Sequence, residues 1–424
     1  MNTGTPQKTE PTGPRTSWNW LWLLCLVALF NQVVMNMARP VTSYKLIALG
    51  FDEATIGLIA AAYATVPLFV ALPLGRWIDR AGNIRVLVSA GMVIMAGGMA
   101  LLGASEQLVF LALAFTTLGL GQLVFTIAGQ AAVARYTPAS KLDAGFGWFT
   151  AAFSGGQLLG PLVAGAVLGA EQNLPRDVLL QRADQALWLA LILSVIAVPL
   201  VFLPVRWVLP RSSTSAGKAA SEAKATLLGV VRLPAVGSHL FAALTLLAIL
   251  DILTAFLPLV GEHFGVSPQW IGVLLALRGA ASITSRFLLP TLSRHFRREH
   301  LIVASLLISS VAISASAMLV QHKVLAAALM IIGGFFLGLG QPITMTLITQ
   351  TVPSNWRSTA LAVRLLGNRA GQVVVPLLAG LVAGPAGPAG AVLLACGLLA
   401  ASGIEKTVRL SATGKGKQSA EPPQ

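Results

Sequence analysis

The chain has 424 residues, of which 55% are apolar and only 10% charged, with a mean hydropathy of +0.78. A soluble protein of this length carries far more charge on its surface, so the composition excludes an ordinary globular domain and makes the bilayer the solvent. The formal charge of +14 does not signal nucleic acid: Lys and Arg fall in short stretches between apolar runs and lack aromatic interleaving.

Residues 1–17 are polar with Pro and Gly and read as a disordered cytoplasmic tail. The apolar run that follows is too long for a signal peptide. A helix needs about 20 apolar residues to cross the hydrocarbon core, and twelve stretches meet that test: 18–41, 54–74, 84–104, 108–134, 143–169, 184–206, 238–260, 269–289, 300–320, 324–350, 358–383 and 388–404. The predicted organisation is an N-terminal six-helix bundle over 18–206, a flexible Ser-, Ala-, Lys- and Gly-rich linker over 207–236, a C-terminal six-helix bundle over 237–404 and a cytoplasmic tail over 405–424. The fold class is an all-α membrane protein with two six-helix bundles related by pseudo-two-fold symmetry.

With the N-terminus inside, twenty Lys and Arg lie in cytoplasmic segments and four in outer ones (Lys45, Arg176, Arg182, Lys323). That bias places both termini in the cytoplasm of a cell whose inner membrane holds the protein. Five arginines remain within spans: Arg39, Arg278, Arg286, Arg364 and Arg369. Cys25 and Cys396 sit inside apolar runs and imply neither a disulfide framework nor a metal site, and no cofactor is expected.

Along the chain, neutral polar groups come first: Asn31 and Asn36 in span 1, Tyr63 in span 2, Gln122 in span 4 and Gln157 in span 5. Between spans 2 and 3 runs Gly75-Arg-Trp-Ile-Asp79-Arg80-Ala-Gly82-Asn83-Ile-Arg85. Glycine there permits a tight turn, and Asp79 is an anion suited to a neighbouring helix N-terminus. Read alone, the stretch is also what a positive-inside loop with a helix cap looks like. In span 5, Gly147 is followed by Gly156, Gly160, Pro161, Ala164 and Gly165. A small residue every four positions makes a smooth face for close helix approach, and Pro161 permits a bend. Ordinary small-residue packing has the same pattern.

Charge at bilayer depth costs about 2.5–3.5 kcal/mol on insertion scales and needs a reason. Asp251, mid-span 7, is the one acid deep within any predicted span. Arg278 lies mid-span 8 at similar depth, so an Asp251–Arg278 ion pair is expected, either carrying protons or only pinning two helices. Arg369 in span 11, beside Asn368 and Gln372, has no obvious acidic partner. It is expected to bind an anionic group or to be satisfied by helix carbonyls. Gln341 in span 10 completes the polar set.

The halves repeat. At an offset of 215 residues, Gly50, Ile56 and Gly57 fall on Gly265, Ile271 and Gly272, Pro138 falls on Pro353, and Gly156-Gln157…Pro161-Leu162…Ala164-Gly165 falls on Gly371-Gln372…Pro376-Leu377…Ala379-Gly380. Six spans per half give the repeats one orientation, about an axis along the membrane normal. Asp251 then maps onto Asn36 and Arg278 onto Tyr63, which concentrates the charge in the C-terminal half.

The 75–85 loop and the span 5 glycine pattern resemble signatures of the major facilitator superfamily, over nearly the whole chain. Asn83 stands in place of one basic residue, Ala164 of one glycine, and Phe115 where the span 4 motif often has an arginine. The resemblance implies a non-enzymatic secondary transporter working by alternating access. Gly75, Asp79, Arg80, Gly82 and Arg85 would latch a gate against span 11, which starts near Ser358, and the span 5 motif is associated with antiporters. Asp251 and Arg278 would couple protons. Arg369, Asn368, Gln372, Asn31, Asn36, Tyr63, Gln122, Gln157 and Gln341 would bind substrate. Exporters of lipophilic cations in this family usually carry an N-terminal-half carboxylate, which is absent here. The expected cargo is therefore an organic anion, zwitterion or amphiphilic neutral compound, leaving by proton antiport or, alternatively, entering by proton symport. The expected partners are the small molecule, protons and the lipid bilayer, with no nucleic acid and a monomeric state.

Overall fold

The computed structural model describes residues 18–80, 82–138, 141–204, 229, 233, 236–353 and 356–418. In lipid every backbone N–H and C=O must find its partner inside the segment, which leaves the helix as the form for long apolar stretches. Twelve helices form among the described residues, each long and apolar enough to cross a membrane. In chain order they are α1 (Asn19–Ala48), α2 (Glu53–Arg80), α3 (Ile84–Ala104), α4 (Leu108–Tyr136), α5 (Leu142–Leu168) and α6 (Arg176–Leu200). The second set is α7 (Val236–His263), α8 (Pro268–His295), α9 (Arg298–Met318), α10 (Lys323–Thr351), α11 (Arg357–Ala386) and α12 (Pro388–Gln418). The predicted tail 1–17 and most of the predicted linker 207–236 lie outside the described residues.

Several boundaries differ from the sequence reading: α2 and α8 run on to Arg80 and His295, α6 begins at Arg176, and both α1 and α12 extend further. α1 continues through Pro40 to Ala48, and α12 passes residue 404. The end of α1 looks polar in sequence, but its polar groups are satisfied locally. Thr42 Oγ1 donates to the carbonyl of Ala38 at 2.8 Å, and Lys45 Nζ donates to the Leu102 carbonyl at 2.8 Å and pairs with Asp184 at 2.7 Å. Lys45 is thus a fully buried helix residue and not a loop cation.

α1 packs on α5 and α6, and its repeat equivalent α7 packs on α11 and α12. The halves meet through α2 against α11, α5 against α8, and α1 against α7. The first two contacts are the same contact made twice. A Cβ on Gly57 would lie 3.0 Å from the Cα of Gly380, and a Cβ on Gly272 would lie 3.1 Å from the Cα of Gly165. These four glycines are the repeat pairs Gly57/Gly272 and Gly165/Gly380, so the recurring glycines meet one another across the interface, as small residues at a membrane helix crossing do. At the same end, Gln269 donates its backbone N–H to the Gly169 carbonyl at 3.1 Å. That end, carrying the α1–α2, α5–α6, α7–α8 and α11–α12 connections, is closed. Toward the opposite end α4 packs on α2 and α3 and makes no extended packing with α10 or α11.

The remaining span 5 glycines serve the N-terminal half itself. Gly156 lies against Gln32 and Val33, and a Cβ on Gly160 would stand 2.8 Å from the Cβ of Asn36. Gly147 faces open space. In the 75–85 stretch the expectation of a glycine turn is corrected at Gly75 alone, since Gly82 lies at a bend between α2 and α3. Gly75 is helical within α2, neither it nor Gly82 has positive φ, and both face open space among the described residues. Arg80 is the exposed last residue of α2, and Arg85 sits in the first turn of α3. The side chains of Asp79 and Ser358, on which the expected latch depends, lie outside the described residues.

Candidate functional site

The repeat axis brings α1 and α7 side by side, and the deepest charges meet there. Arg39 on α1 forms an ion pair with Asp251 on α7, with side-chain exposures of 16% and 11%. Arg39 also stacks over Tyr63 of α2, its Cζ 4.2 Å from the ring centroid, a favourable cation–π geometry. The second carboxylate oxygen accepts from Gln372 Nε2 on α11 at 2.8 Å, and Gln372 Oε1 accepts from Arg369 Nη1 at 2.9 Å. A continuous relay therefore runs Arg369, Gln372, Asp251, Arg39, joining both halves.

The expected Asp251–Arg278 pair is corrected: the partner of Asp251 is Arg39. Arg278, only 3% exposed, lines the same cavity, and its Nε has no hydrogen-bond partner. Neighbours in sequence suggested α8 as the partner helix, whereas the pseudo-symmetry axis makes it α1. The signal was present in the repeat. Asp251 maps onto Asn36, so Arg39 sits three residues, about 4.5 Å, from equal depth on the same helix.

Two chambers flank this relay. One, open to solvent and about 260 Å³ in volume, is lined on the N-terminal side by Gln32, Asn36, Gln122 and Gln157, and on the C-terminal side by Arg278, Asn368 and Arg369. The other is a small inner crevice of about 20 Å³, lined by Leu46, Ile56, Ile59 and Phe115 together with Thr42 and Ser43, toward the closed end. Arg39, Tyr63, Asp251, Thr254 and Gln372 line both. These side chains are the partition between a polar vestibule and a largely apolar inner chamber.

Most of the predicted binding residues come together in the vestibule: Asn36, Tyr63, Gln122, Gln157, Asn368, Arg369 and Gln372. Two do not. Asn31 is fully buried and donates to the sulfurs of Met92 and Met95 on α3, at 3.3 and 2.8 Å. Gln341 holds Arg364, accepting from its Nη2 at 2.7 Å, within the C-terminal half. Sequence reasoning also missed Gln32, Thr126 and Thr254, ordinary polar residues whose facing only the packing shows. Arg286, another in-span cation, donates to Ser154 Oγ on α5 at 3.1 Å and ties the halves beside the vestibule.

The sequence profile described as Major Facilitator Superfamily matches residues 24–320 and 240–423. No curated protein matches. Among solved structures, a variant of the nucleoside transporter NupG superposes with a TM-score of 0.74 at 13% identity, covering 92% of this chain and 99% of that one. A POT family transporter in complex with 5-aminolevulinic acid gives 0.71 at 14% identity, covering 93% and 97%. A bacterial homolog of the human lysosomal transporter Spinster, inward-facing and unoccupied, gives 0.69 at 16% identity, covering 93% and 96%. At such identities the likeness speaks for the fold alone. With its twelve spans, its two-fold repeat and a profile match that runs across the chain, this multi-pass membrane protein belongs to the major facilitator superfamily of transporters.

Proposed function

We propose that the protein exports a small organic molecule, anionic, zwitterionic or amphiphilic, across the cytoplasmic membrane by alternating access, in exchange for protons. The single observation that carries this reading is the Arg39–Asp251 pair, which bridges the halves and separates the two chambers. A proton on Asp251 removes the charge that holds Arg39 and weakens the acceptor of Gln372. The α1–α7 contact then loses its electrostatic tie and the partition opens. An anion at Arg369 draws that guanidinium away from Gln372 Oε1. Substrate and proton thus act on opposite ends of one side chain, which is the physical content of coupling.

The positive-inside bias orients the open vestibule to the cytoplasm and the glycine-packed end outward. In that orientation the vestibule loads from inside, and the span 5 motif supports export. The amide-rich wall favours a second reading, proton-coupled uptake of an organic acid, which would use the same pair. Counterflow and pH-gradient-driven transport in right-side-out and inverted vesicles test both. Asp251→Asn should retain exchange and lose uphill movement. An Asp251→Asn protein that still moves substrate against its gradient, at normal expression, ends the proton-coupling reading.

A further inference from the structure

The walls of the vestibule differ in what they leave unpartnered. In the C-terminal half, Arg278 is 3% exposed and its Nε lacks an acceptor, while Arg369 is held only by the neutral Gln372. Across the cavity, Gln122 Oε1 has no donor, and neither does Asn368 Oδ1 beside Arg369; both residues are 8% exposed. Asn36 and Gln157 extend the amide wall. A buried unpartnered polar atom is costly, so these atoms describe the complement of a ligand.

We infer that the vestibule takes a hydroxylated organic anion of the sugar-acid class, its carboxylate on the Arg278–Arg369 side and its hydroxyls on the amides of Gln122, Gln157 and Asn36. The inference rests on the vestibule being the transport site and names the cargo class. Three arginines and a single acid line the cavity, and that acid is already paired with Arg39. The residual charge selects an anion and repels an ammonium group, which disfavours amino acids and peptides. Donors for the amide oxygens must then come from neutral groups. A hydroxyl both donates and accepts, so it suits either atom of each amide. Aromatic surface is confined to Phe153 and Tyr63, and the Tyr63 face is taken by Arg39, which leaves little for a flat lipophilic drug to stack on. A site built around buried hydrogen-bonding groups rejects analogues lacking the matching hydroxyls strongly.

The test uses the purified full-length protein and reads thermal stabilisation and calorimetric binding of D-gluconate, of hexanoate, which keeps the charge without the hydroxyls, and of sorbitol, which keeps the hydroxyls without the charge. Gluconate should bind at least about tenfold more tightly than either, as charge-assisted and hydroxyl contacts are lost one set at a time. Arg278→Gln and Arg369→Gln should each weaken gluconate by about tenfold or more. Their melting points without ligand check that both fold, and Arg278→Lys serves if Arg278→Gln does not. Gln122→Leu should narrow the gap between gluconate and hexanoate. The inference is overturned if hexanoate or tetraphenylphosphonium binds as well as gluconate, if gluconate binds the arginine variants unchanged, or if neither gluconate nor quinate binds at all. Counterflow in proteoliposomes separates this from the wider reading. Binding without exchange sinks the transporter reading and leaves the site, whereas exchange of a non-hydroxylated cargo does the reverse.

Discussion

Arg39 and Asp251, 212 positions apart in sequence, form one ion pair across the interface between the two halves, and the same two side chains touch both chambers of the molecule. A bond placed there cannot survive a rocking motion that separates α1 from α7. In the proposed exchange with protons it is the lock, and protonation of one carboxyl group releases it.

Breaking the lock from one side leaves a charge stranded. Arg39→Gln should lower stability by about 3 kcal/mol, as removal of one partner of a buried pair does. Arg39→Gln combined with Asp251→Asn should recover much of that loss, because no unpaired charge remains. A double-mutant cycle on thermal unfolding in detergent checks it; additive losses would mean that the pair is not coupled.

Gln372 is the link between Arg369, the proposed anion-binding arginine, and Asp251. Gln372→Leu should leave substrate binding within about threefold, since Arg369 is freed rather than lost, but should remove the dependence of substrate affinity on proton binding. Calorimetric titrations across a pH series compare the variant with the parent protein.

The glycine crossings occur twice, so their disruption should have equal effects. Gly57→Leu and Gly272→Leu each place a side chain against backbone and should destabilise the closed end by about 1–3 kcal/mol. A shift of about 1.4 kcal/mol is tenfold in the equilibrium between closed and open ends. Spin labels on the α1–α2 and α7–α8 connections should report longer distances in both variants, and a response from only one would break the symmetry argument.

Lys45 offers a control away from transport. Its side chain is fully buried and tied to Asp184 and to the Leu102 carbonyl. Asp184→Asn should cost about 3 kcal/mol of stability through the uncompensated ammonium, with substrate affinity unchanged.

At the closed end, Asp52 accepts the backbone N–H of Thr55 at 3.0 Å, capping α2, and hydrogen bonding from the Thr55 hydroxyl, together with that backbone N–H, holds its carboxyl below the ordinary value of 3.8. A depressed carboxyl stabilises the fold in full above its ordinary value, and the contribution fades as pH falls through the lower folded value. Asp52→Ala should therefore cost about 1 kcal/mol near neutral pH and progressively less in acid. Melting curves of variant and parent that converge below the carboxylate range are the expected result.

Twelve spans, two halves and the paired glycines are legible from the sequence because they answer to local or repeating constraints. A span must be about 20 apolar residues long, and a repeat keeps its spacing wherever the chain folds. Gly57 and Gly272 could be matched by counting, although their shared role, meeting Gly380 and Gly165, appears only in the assembled interface. Asp251, Arg278 and Arg369 stood out because charge in a bilayer is costly.

The repeat sets Arg39 at a depth comparable to Asp251, but which charges pair, and which polar residues face one another, was decided by the tertiary structure. Asn31 and Asn36 are alike in sequence, yet one faces the sulfurs of α3 and the other the vestibule, because five residues along a helix turn a side chain by well over a full turn. Depth along a span can be read from the chain, but the rotation of each helix about its axis is set by what it packs against. That rotation is why Asp251 faces Arg39 and Arg278 is left facing the cavity.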